Sequence, residues 1–468
     1  MAPTLDNLDP IVSLAKRRGF VFPSAEIYGG TGAIWDYGPL GAEMKRNIKD
    51  LWWRRFIHAE PSIVALDSAI ITRREVLQAS GHESGFTDPL VECKDCHNRF
   101  RHDHLLEGQY GDIQKNKGGQ LLCPNCGGVL TEPRQFNLMF KTFVGPVDDE
   151  SALAYLRPET AQGIFTNFKN VADTQRLKLP FGIAQIGKAF RNEVTPGNFV
   201  FRTREFEQCE IEWFCEPENI LAKKAPASKE HQRSASEWYD YFIQESLAWF
   251  VSLGVKKDNL RLREHDKNEL AHYAKGATDI EYLYPFGWSE LQGVALRGSF
   301  DLQQHQDHSK KDLTYFDEAL NERYLPEVVE PSVGVDRAFL TFLIDAYEEI
   351  HEDEPNGRKK GEKVLRLHKD IAPVKVAILP LIKKDQLPEI AGDIYRVLLK
   401  RWLVQYDESG SVGRRYRRQD EIGTPYCVTV DFDSIEDQSV TVRDRDTLKQ
   451  ERIKINDLEE YFSSKFSR

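Results

Sequence analysis

The chain has 468 residues, 40% of them hydrophobic, and a formal net charge of −11. It can bury two or three packed cores, it is too acidic for a general attraction to nucleic acid, and no window approaches the roughly 18 apolar residues of a membrane span. Seven cysteines, four of them in CxxC pairs, suit a metal site in a reducing compartment better than disulfides, and MAPTLDNLDP has no basic or apolar leader region. A cytoplasmic protein with no membrane or DNA partner is therefore expected.

In chain order, residues 10–19 read as a short helix. The following RRGFVFPSAEIYGGTGAIWDYGPLG is dense in glycine and aromatics, which describes tight turns pressed against a surface. Pro39 opens a helix in which Leu40, Met44, Ile48, Leu51, Trp52 and Phe56 recur at three- and four-residue spacing. That apolar stripe can serve an intrachain core or a subunit contact. A strand over 63–66 follows. Cys93-Lys-Asp-Cys96 and, after 26 intervening residues, Cys123-Pro-Asn-Cys126-Gly-Gly put two thiolates on each of two turns, a tetrahedral zinc set. Four protein ligands leave no open position, so Zn²⁺ there would be structural, holding together a ribbon over 90–130 with little core of its own. His97, His102 and His104 lie nearby, but the complete cysteine set leaves them to solvent.

Leu156-Arg157-Pro158-Glu159-Thr160-Ala161-Gln162-Gly163 puts Glu159 near a strand-to-helix junction, where it either caps the helix or faces a cleft. Residues 183–214 read as a β-hairpin about the Pro-Gly of VTPGNFV. Alternation puts Gln185, Arg191 and Glu193 on one face of the first strand, and Arg202, Arg204, Phe206, Gln208 and Glu210 on one face of the second. Ile211 and Trp213 face the other way and suit a core. Arginines able to fork onto phosphates, an aromatic ring and acids able to hold an ammonium group or Mg²⁺ suit a bound nucleoside triphosphate.

The segment 215–260 reads as an insertion whose helix, about 231–253, can bury Trp238, Tyr241, Phe242, Leu247 and Phe250. Arg263-Glu264-His265, His272-Tyr273-Ala274 and Asp279-Ile280-Glu281-Tyr282 precede a strand over 287–298. There Glu290 and Gln292 share a side with Val294 and Leu296, while Gly293 and Ala295 leave space on the other. Val328 to Arg337 runs into an apolar helix; Gly334 frees the backbone where strand becomes helix, and Arg337 can reach a phosphate. The charged stretch 351–372 reads as a linker. Beyond it, strand 374–381, helix 385–401, strand 402–407, helix 412–423, strands 426–433 and 439–444 and a last helix imply a mostly parallel sheet. The five basic residues from Arg401 to Arg418 form the densest candidate RNA patch.

Phe190-Arg191-Asn192-Glu193, a loop, and Phe201-Arg202-Thr203-Arg204-Glu205-Phe206 resemble motif 2 of the class II aminoacyl-tRNA synthetases. The helix from Pro39 resembles motif 1, Gly334-Val335-Asp336-Arg337 resembles motif 3, and Arg157 to Gly163 resembles the RPETAQG of homodimeric glycyl-tRNA synthetases. The resemblance implies an α+β catalytic domain over 1–350, an antiparallel sheet with helices carrying the zinc-ribbon insertion, followed by an α/β anticodon-binding domain over 373–468. It implies a homodimer through the motif 1 region, with ATP, glycine and tRNA(Gly) as partners and Mg²⁺ bound with the ATP.

Carried over residue by residue, the resemblance assigns catalysis to Arg191, Glu290 and Arg337. It assigns ATP to these three with Asn192, Glu193, Phe201, Arg202, Thr203, Arg204, Glu205, Phe206, Leu291, Gly334, Val335 and Asp336. It assigns glycine to Arg101, Glu159, Phe206, Glu207, Gln208, Cys209, Glu210, Glu330, Pro331, Ser332, Val333 and Gly334. Arg101 enters through Phe-Arg-His-Asp-His-Leu, similar to the family's Phe-Arg-Ala-Asp-His-Leu. Many synthetases have glycine where Asp336 stands here. A non-catalytic RNA-binding relative and a ligase for another small amino acid are the alternative readings.

Overall fold

The computed structural model describes residues 5–108, 110–224, 233–266, 270, 274–355 and 357–466. His272, Tyr273 and the first two residues of the helix expected from 231 lie outside the described residues. Seven strands form the main sheet: β1 (Ile63–Ala65), β2 (Phe181–Phe190), β3 (Glu205–Cys215), β4 (Leu260–Glu264), β5 (Gly276–Tyr284), β6 (Gly287–Gly298) and β7 (Glu327–Gly334). Their spatial order is β4-β5-β6-β7-β3-β2-β1. Every neighbouring pair is antiparallel except β1 and β2, which run parallel.

The period of two along β3 decides what lies on each side of this sheet. Cys209, Ile211 and Trp213 face a layer of helices, Pro39–Trp53, Ala235–Ser252 and Val335–Ala346, that form the largest core with them. Phe214 faces the other way, onto Phe165 and Phe168 of the helix Ala161–Gln175. That helix covers one end of the second face, and the other end carries the cleft described below.

Two expectations about helices resolve toward packing. The stripe Leu40, Met44, Ile48 and Trp52 is buried within this chain, and Gly41 is needed there because a Cβ would lie 1.8 Å from the Phe20 carbonyl oxygen. The helix Ala235–Ser252 opens with a capping box between Ser234 and Glu237 and lays Trp238 and Phe242 on Trp213, at 4.6 and 5.5 Å. It is thus a layer of the main core.

The stretch expected to be a linker is instead a packed joint. Tyr347–Glu349 and Lys363–Leu365 pair as a small hairpin, and Leu365, Leu367, Ile371 and Ala372 are buried. Arg358 is 2% exposed and donates to the Asp420 carboxylate and the Arg445 carbonyl. Charge in this run therefore marks paired burial as well as solvent.

In the C-terminal domain Val376–Pro380 lies between Val404–Tyr406 and Tyr426–Val430, parallel to both, but Ser439–Asp444 and Gln450–Lys454 add two antiparallel strands. The sheet is mixed, a correction to the mostly parallel expectation. Gln450–Lys454 escaped a reading by periodicity because it is a charged edge strand.

Candidate active site

A cavity of about 200 Å³ opens where β2, β3, β6 and β7 meet the segment between β2 and β3. The register explains its lining. Glu210 pairs with Ser332 across β3 and β7, Ser332 pairs with Gly293 of β6, and Gln208 pairs with Gly334. Side chains at even positions 206, 208 and 210 face the cavity with Glu330 and Ser332; Cys209, Pro331 and Val333 are buried behind it, and Glu207 turns to Lys45 and Lys49. Contiguous runs were expected at the site, but a strand presents only alternate residues.

Arg191 lines the cavity just beyond the end of β2. Its Nε donates to the Pro158 carbonyl at 3.0 Å, and its guanidinium lies 5.3 Å from both the Phe86 and Phe206 rings. Two aromatic faces thus orient a cation whose remaining N–H groups face the cavity. Arg337, in the first turn of its helix, sits 4.6 Å over Phe201 and is 2.8 Å from the Glu290 carboxylate. The charge of Arg337 is the main cause holding Glu290 below the usual carboxylate range.

Arg202 lines the cavity with no carboxylate partner among the described residues. It stands in the connection between β2 and β3, not on the strand, because β3 begins only at Glu205. Arg204 is also in this connection, where it donates to the Gly32 and Glu193 carbonyls and acts as a clamp. Phe201, Thr203, Glu193, Gly334 and Asp336 line the cavity; Asn192, Glu205, Leu291 and Val335 do not. Glu205 pairs with Lys188, and Leu291 and Val335 are core.

The acidic end of the cavity is built from four elements. Glu159 is buried; His82 stands 3.3 Å away, and Gln162 donates to it at 2.9 Å. Burial pushes its pKa upward, but His82 and Arg297 outweigh this and hold it well below the usual range. Glu210 accepts from the Thr160 hydroxyl, and burial followed by the charges of Glu330 and Glu159 raises it to about 8. Gln208 donates to the Ser332 hydroxyl at 3.3 Å.

Behind them Arg297 binds Asp301 at 2.8 and 2.9 Å and Glu330 at 2.5 Å. Glu212 is fully buried, neither of its oxygens meets an N–H or hydroxyl donor among the described residues, and burial followed by the charge of Glu330 raises it well above the carboxylate range. These partners, His82, Phe86, Thr160, Arg297, Asp301 and Glu212, were not assigned from sequence. Only Glu212 carried a local signal, since it continues the Gln208 and Glu210 face by alternation.

Arg101 is not brought to the cavity. It pairs with Asp88 at 3.1 Å and with Asp103, at the edge of the small sheet Thr87–Glu92, Arg99–Arg101, Arg134–Asn137. That sheet carries the cysteine ribbon. The four Sγ atoms lie within 4.8 Å of one another, with Cys93 to Cys126 at 3.5 Å and Cys96 to Cys123 at 3.7 Å. Zinc–sulfur bonds of about 2.3 Å in a tetrahedron require separations of about 3.8 Å, so the set fits Zn²⁺. Gly127 takes φ +75°, and a Cβ on Gly128 would lie 2.3 Å from Asp95 of the other knuckle. The backbone N–H groups of Cys96 and Asp95 help draw Cys93 down to about 7, while the neighbouring thiols push Cys126 up to about 12 and burial raises Cys123.

Asp279, which pairs with Gly293 and accepts from His265 Nε2 at 2.7 Å, is raised to about 6 by burial and then by the neighbouring charge of Glu290.

The basic run of the last domain is largely neutralised. Arg415 is buried and donates to the carbonyls of Pro380, Asp407 and Leu381; Arg417 pairs with Glu362, Arg418 with Asp407 and Arg401 with Glu459. Arg414 is the exposed member without such a partner among the described residues. No described helix is long and apolar enough to cross a membrane.

Comparisons with known proteins place these features. Residues 140–347 match the family described as tRNA synthetase class II core domain (G, H, P, S and T), and residues 375–465 match the anticodon binding domain. The chain is 53% identical to the glycine–tRNA ligase of Thermobifida fusca over 100% of both chains. It is 53% identical to that of Ruminiclostridium cellulolyticum over 98% of both, and 51% identical to that of Mycolicibacterium vanbaalenii over 99% of both. A prolyl-tRNA synthetase from Cryptosporidium parvum, solved with halofuginone and AMPPNP, shares the fold at 16% identity and a TM-score of 0.62, covering 99% of this chain and 78% of that one.

Proposed function

Because the chain belongs to the glycine–tRNA ligase family of class II synthetases, we propose that it joins glycine to ATP, releases pyrophosphate and passes the glycyl group to the 3′ end of tRNA(Gly). The observation that carries this reading is the division of the cavity into a cationic end, Arg191, Arg202 and Arg337, and an acidic end, Glu159, Glu210 and Glu330, with the Ser332 hydroxyl among them. A nucleoside triphosphate suits the first and an ammonium group the second. Both ends meet at Arg191, where carboxylate and α-phosphate would have to react.

The glycine carboxylate oxygen attacks the α-phosphorus in line, the bond to the bridging oxygen breaks, and pyrophosphate leaves. No protein group forms a covalent bond, so catalysis lies in positioning and charge neutralisation. Arg191 holds the α-phosphate and the glycine carboxylate. Arg202 and Arg337 take the outer phosphates, Phe206 stacks on adenine, and Glu193 reads its amino group. Glu290, with Asp279 beside it, would hold the Mg²⁺ that arrives with ATP and screens its phosphate charge. The terminal ribose hydroxyl of the tRNA then attacks the carbonyl carbon of glycyl-adenylate and AMP leaves.

Glu159, Glu210 and Ser332 hold the ammonium group and fill the place of a side chain, so larger amino acids are excluded sterically. Residues 1–350 act as the catalytic domain and 373–468 as the anticodon-binding domain, with Arg414 as the exposed cation of the basic helix. The cysteine ribbon holds structural Zn²⁺, and the protein works in the cytoplasm as a homodimer. Because the apolar stripe of the motif 1 helix is consumed internally, the dimer contact in this region falls to exposed apolar residues such as Ile27 and Tyr28. Charging of total tRNA with labelled glycine tests the function: a base-labile glycyl ester is expected, and its absence in a protein that forms glycyl-adenylate would remove the transfer step. Sedimentation at micromolar concentration tests the dimer.

A further inference from the structure

Asp336 was expected among the nucleotide contacts, but its carboxylate is already occupied. One oxygen accepts from Lys45 Nζ at 2.7 Å and from the Tyr37 hydroxyl; the other accepts from the Glu207 backbone N–H at 2.8 Å. Lys45 also lies 3.3 Å from the Glu207 carboxylate, and Lys49 donates to that same carboxylate at 2.9 Å. Lys45 Nζ stands 4.3 Å from the centre of the Tyr37 ring. Burial opposes the charge on Lys45, but Asp336 and Glu207 more than offset it, so the ammonium is retained. Two cations and two anions thus close a balanced network at the junction of the helix Pro39–Trp53, strand β3 and the helix Val335–Ala346.

The members of this network are chain neighbours of the nucleotide groups. Asp336 precedes Arg337, and Glu207 follows Phe206, which lies under Arg191. The hydrogen bond from Glu207 N–H to Asp336 fixes how far the start of the motif 3 helix sits along β3, and Lys45 holds both from behind. The acids at the glycine end hang on other anchors: Thr160, His82, Gln162 and Arg297. The network therefore bears directly on the nucleotide half of the cavity and reaches the other half only through Gln208, which follows Glu207 and donates to Ser332.

We propose that Lys45 is a positioning residue for the nucleotide end of the cavity, acting through Asp336 and Glu207 on Arg337 and Phe206, so that the helix Pro39–Trp53 controls ATP affinity. This rests on the functional reading above. Lys45 touches no substrate.

The test is steady-state ATP–pyrophosphate exchange with Lys45→Met, Asp336→Asn and the double variant, titrating ATP and glycine separately. Lys45→Met should raise KM for ATP about tenfold, within the range of a coupled charged pair, and leave KM for glycine within about twofold. The double variant, which removes one charge of each sign, should be no worse than Lys45→Met alone. An unchanged KM for ATP in folded Lys45→Met overturns the proposal, and so does an equal rise in both KM values, which is what general loosening would give. If Lys45→Met does not fold, Tyr37→Phe removes only a hydroxyl and keeps its ring against Phe339 at 5.0 Å. It should raise KM for ATP alone by about threefold, and no change there overturns the proposal equally. Absence of glycine-dependent exchange in the wild type would instead overturn the functional reading, so the two failures are separable.

Discussion

Arg191 is held by one carbonyl and two aromatic faces, with no carboxylate paired to it directly among the described residues. Removing its side chain leaves no unpaired buried acid behind, so Arg191→Ala should fold normally and lose exchange activity by about 10²- to 10³-fold, the scale of one transition-state donor. Equal thermal midpoints with that loss would separate chemistry from stability. Glu210 makes a different prediction. With its carboxyl raised to about 8, the free enzyme holds a proton below that pH which the glycine ammonium must displace. KM for glycine should therefore fall by up to about tenfold per pH unit between 6.5 and 8, then level, and Glu210→Gln should abolish that slope. The same group makes the fold lose stability as pH rises from its ordinary value of 4.5 through about 8, because over that window the unfolded chain binds fewer protons than the native one. Glycine should restore stability most at the upper end, which thermal melts at pH 6 and 8 would show. At this scale the resemblance of their motifs nominated Arg191, Glu159, Glu210, Glu290 and Arg337, which residue type and spacing alone left open between a site and a solvated or capping role. The partners that tune them were hidden because His82, Thr160 and Arg297 arrive from elements that only the tertiary fold brings near.

At the scale of elements, the sheet strands and the long helices were legible because each buries one face at a regular period, as Ile211 and Trp213 do on β3 and Leu40, Met44 and Ile48 do on their helix. The break in the hairpin was not, since its alternation runs on through Arg202 and Arg204 although the ladder has ended. Hydrogen bonds from Arg204 to Gly32 and Glu193, which no pattern in sequence reports, hold that connection instead. The ribbon was legible outright because its four thiols are spaced for one ion. Among its described residues it buries a small cluster of Val91, Phe100, Leu105 and Leu130 besides Cys93 and Cys123. Chelation should therefore open it, exposing four thiols to titration and cleavage sites between 93 and 126, while the main sheet keeps its thermal transition. Unchanged protease resistance after complete metal removal would contradict a metal-held ribbon.

For the whole molecule, the joint between the two domains is the part least legible from sequence. A charged run is usually solvated, yet here Arg358 and Arg443 both bond to Asp420 in the interior. Asp420→Ala would leave two buried guanidinium groups without that carboxylate, at a cost of about 3 to 5 kcal/mol, and should split unfolding into separate transitions. A single unshifted transition would mean that the joint contributes little. The central claim is that one cavity selects glycine and joins it to ATP, and amino-acid-dependent ATP–pyrophosphate exchange, run with each of the twenty amino acids on metal-replete folded protein, tests it most directly. Exchange with glycine alone is the predicted result; exchange with a different amino acid, or with none, would contradict it.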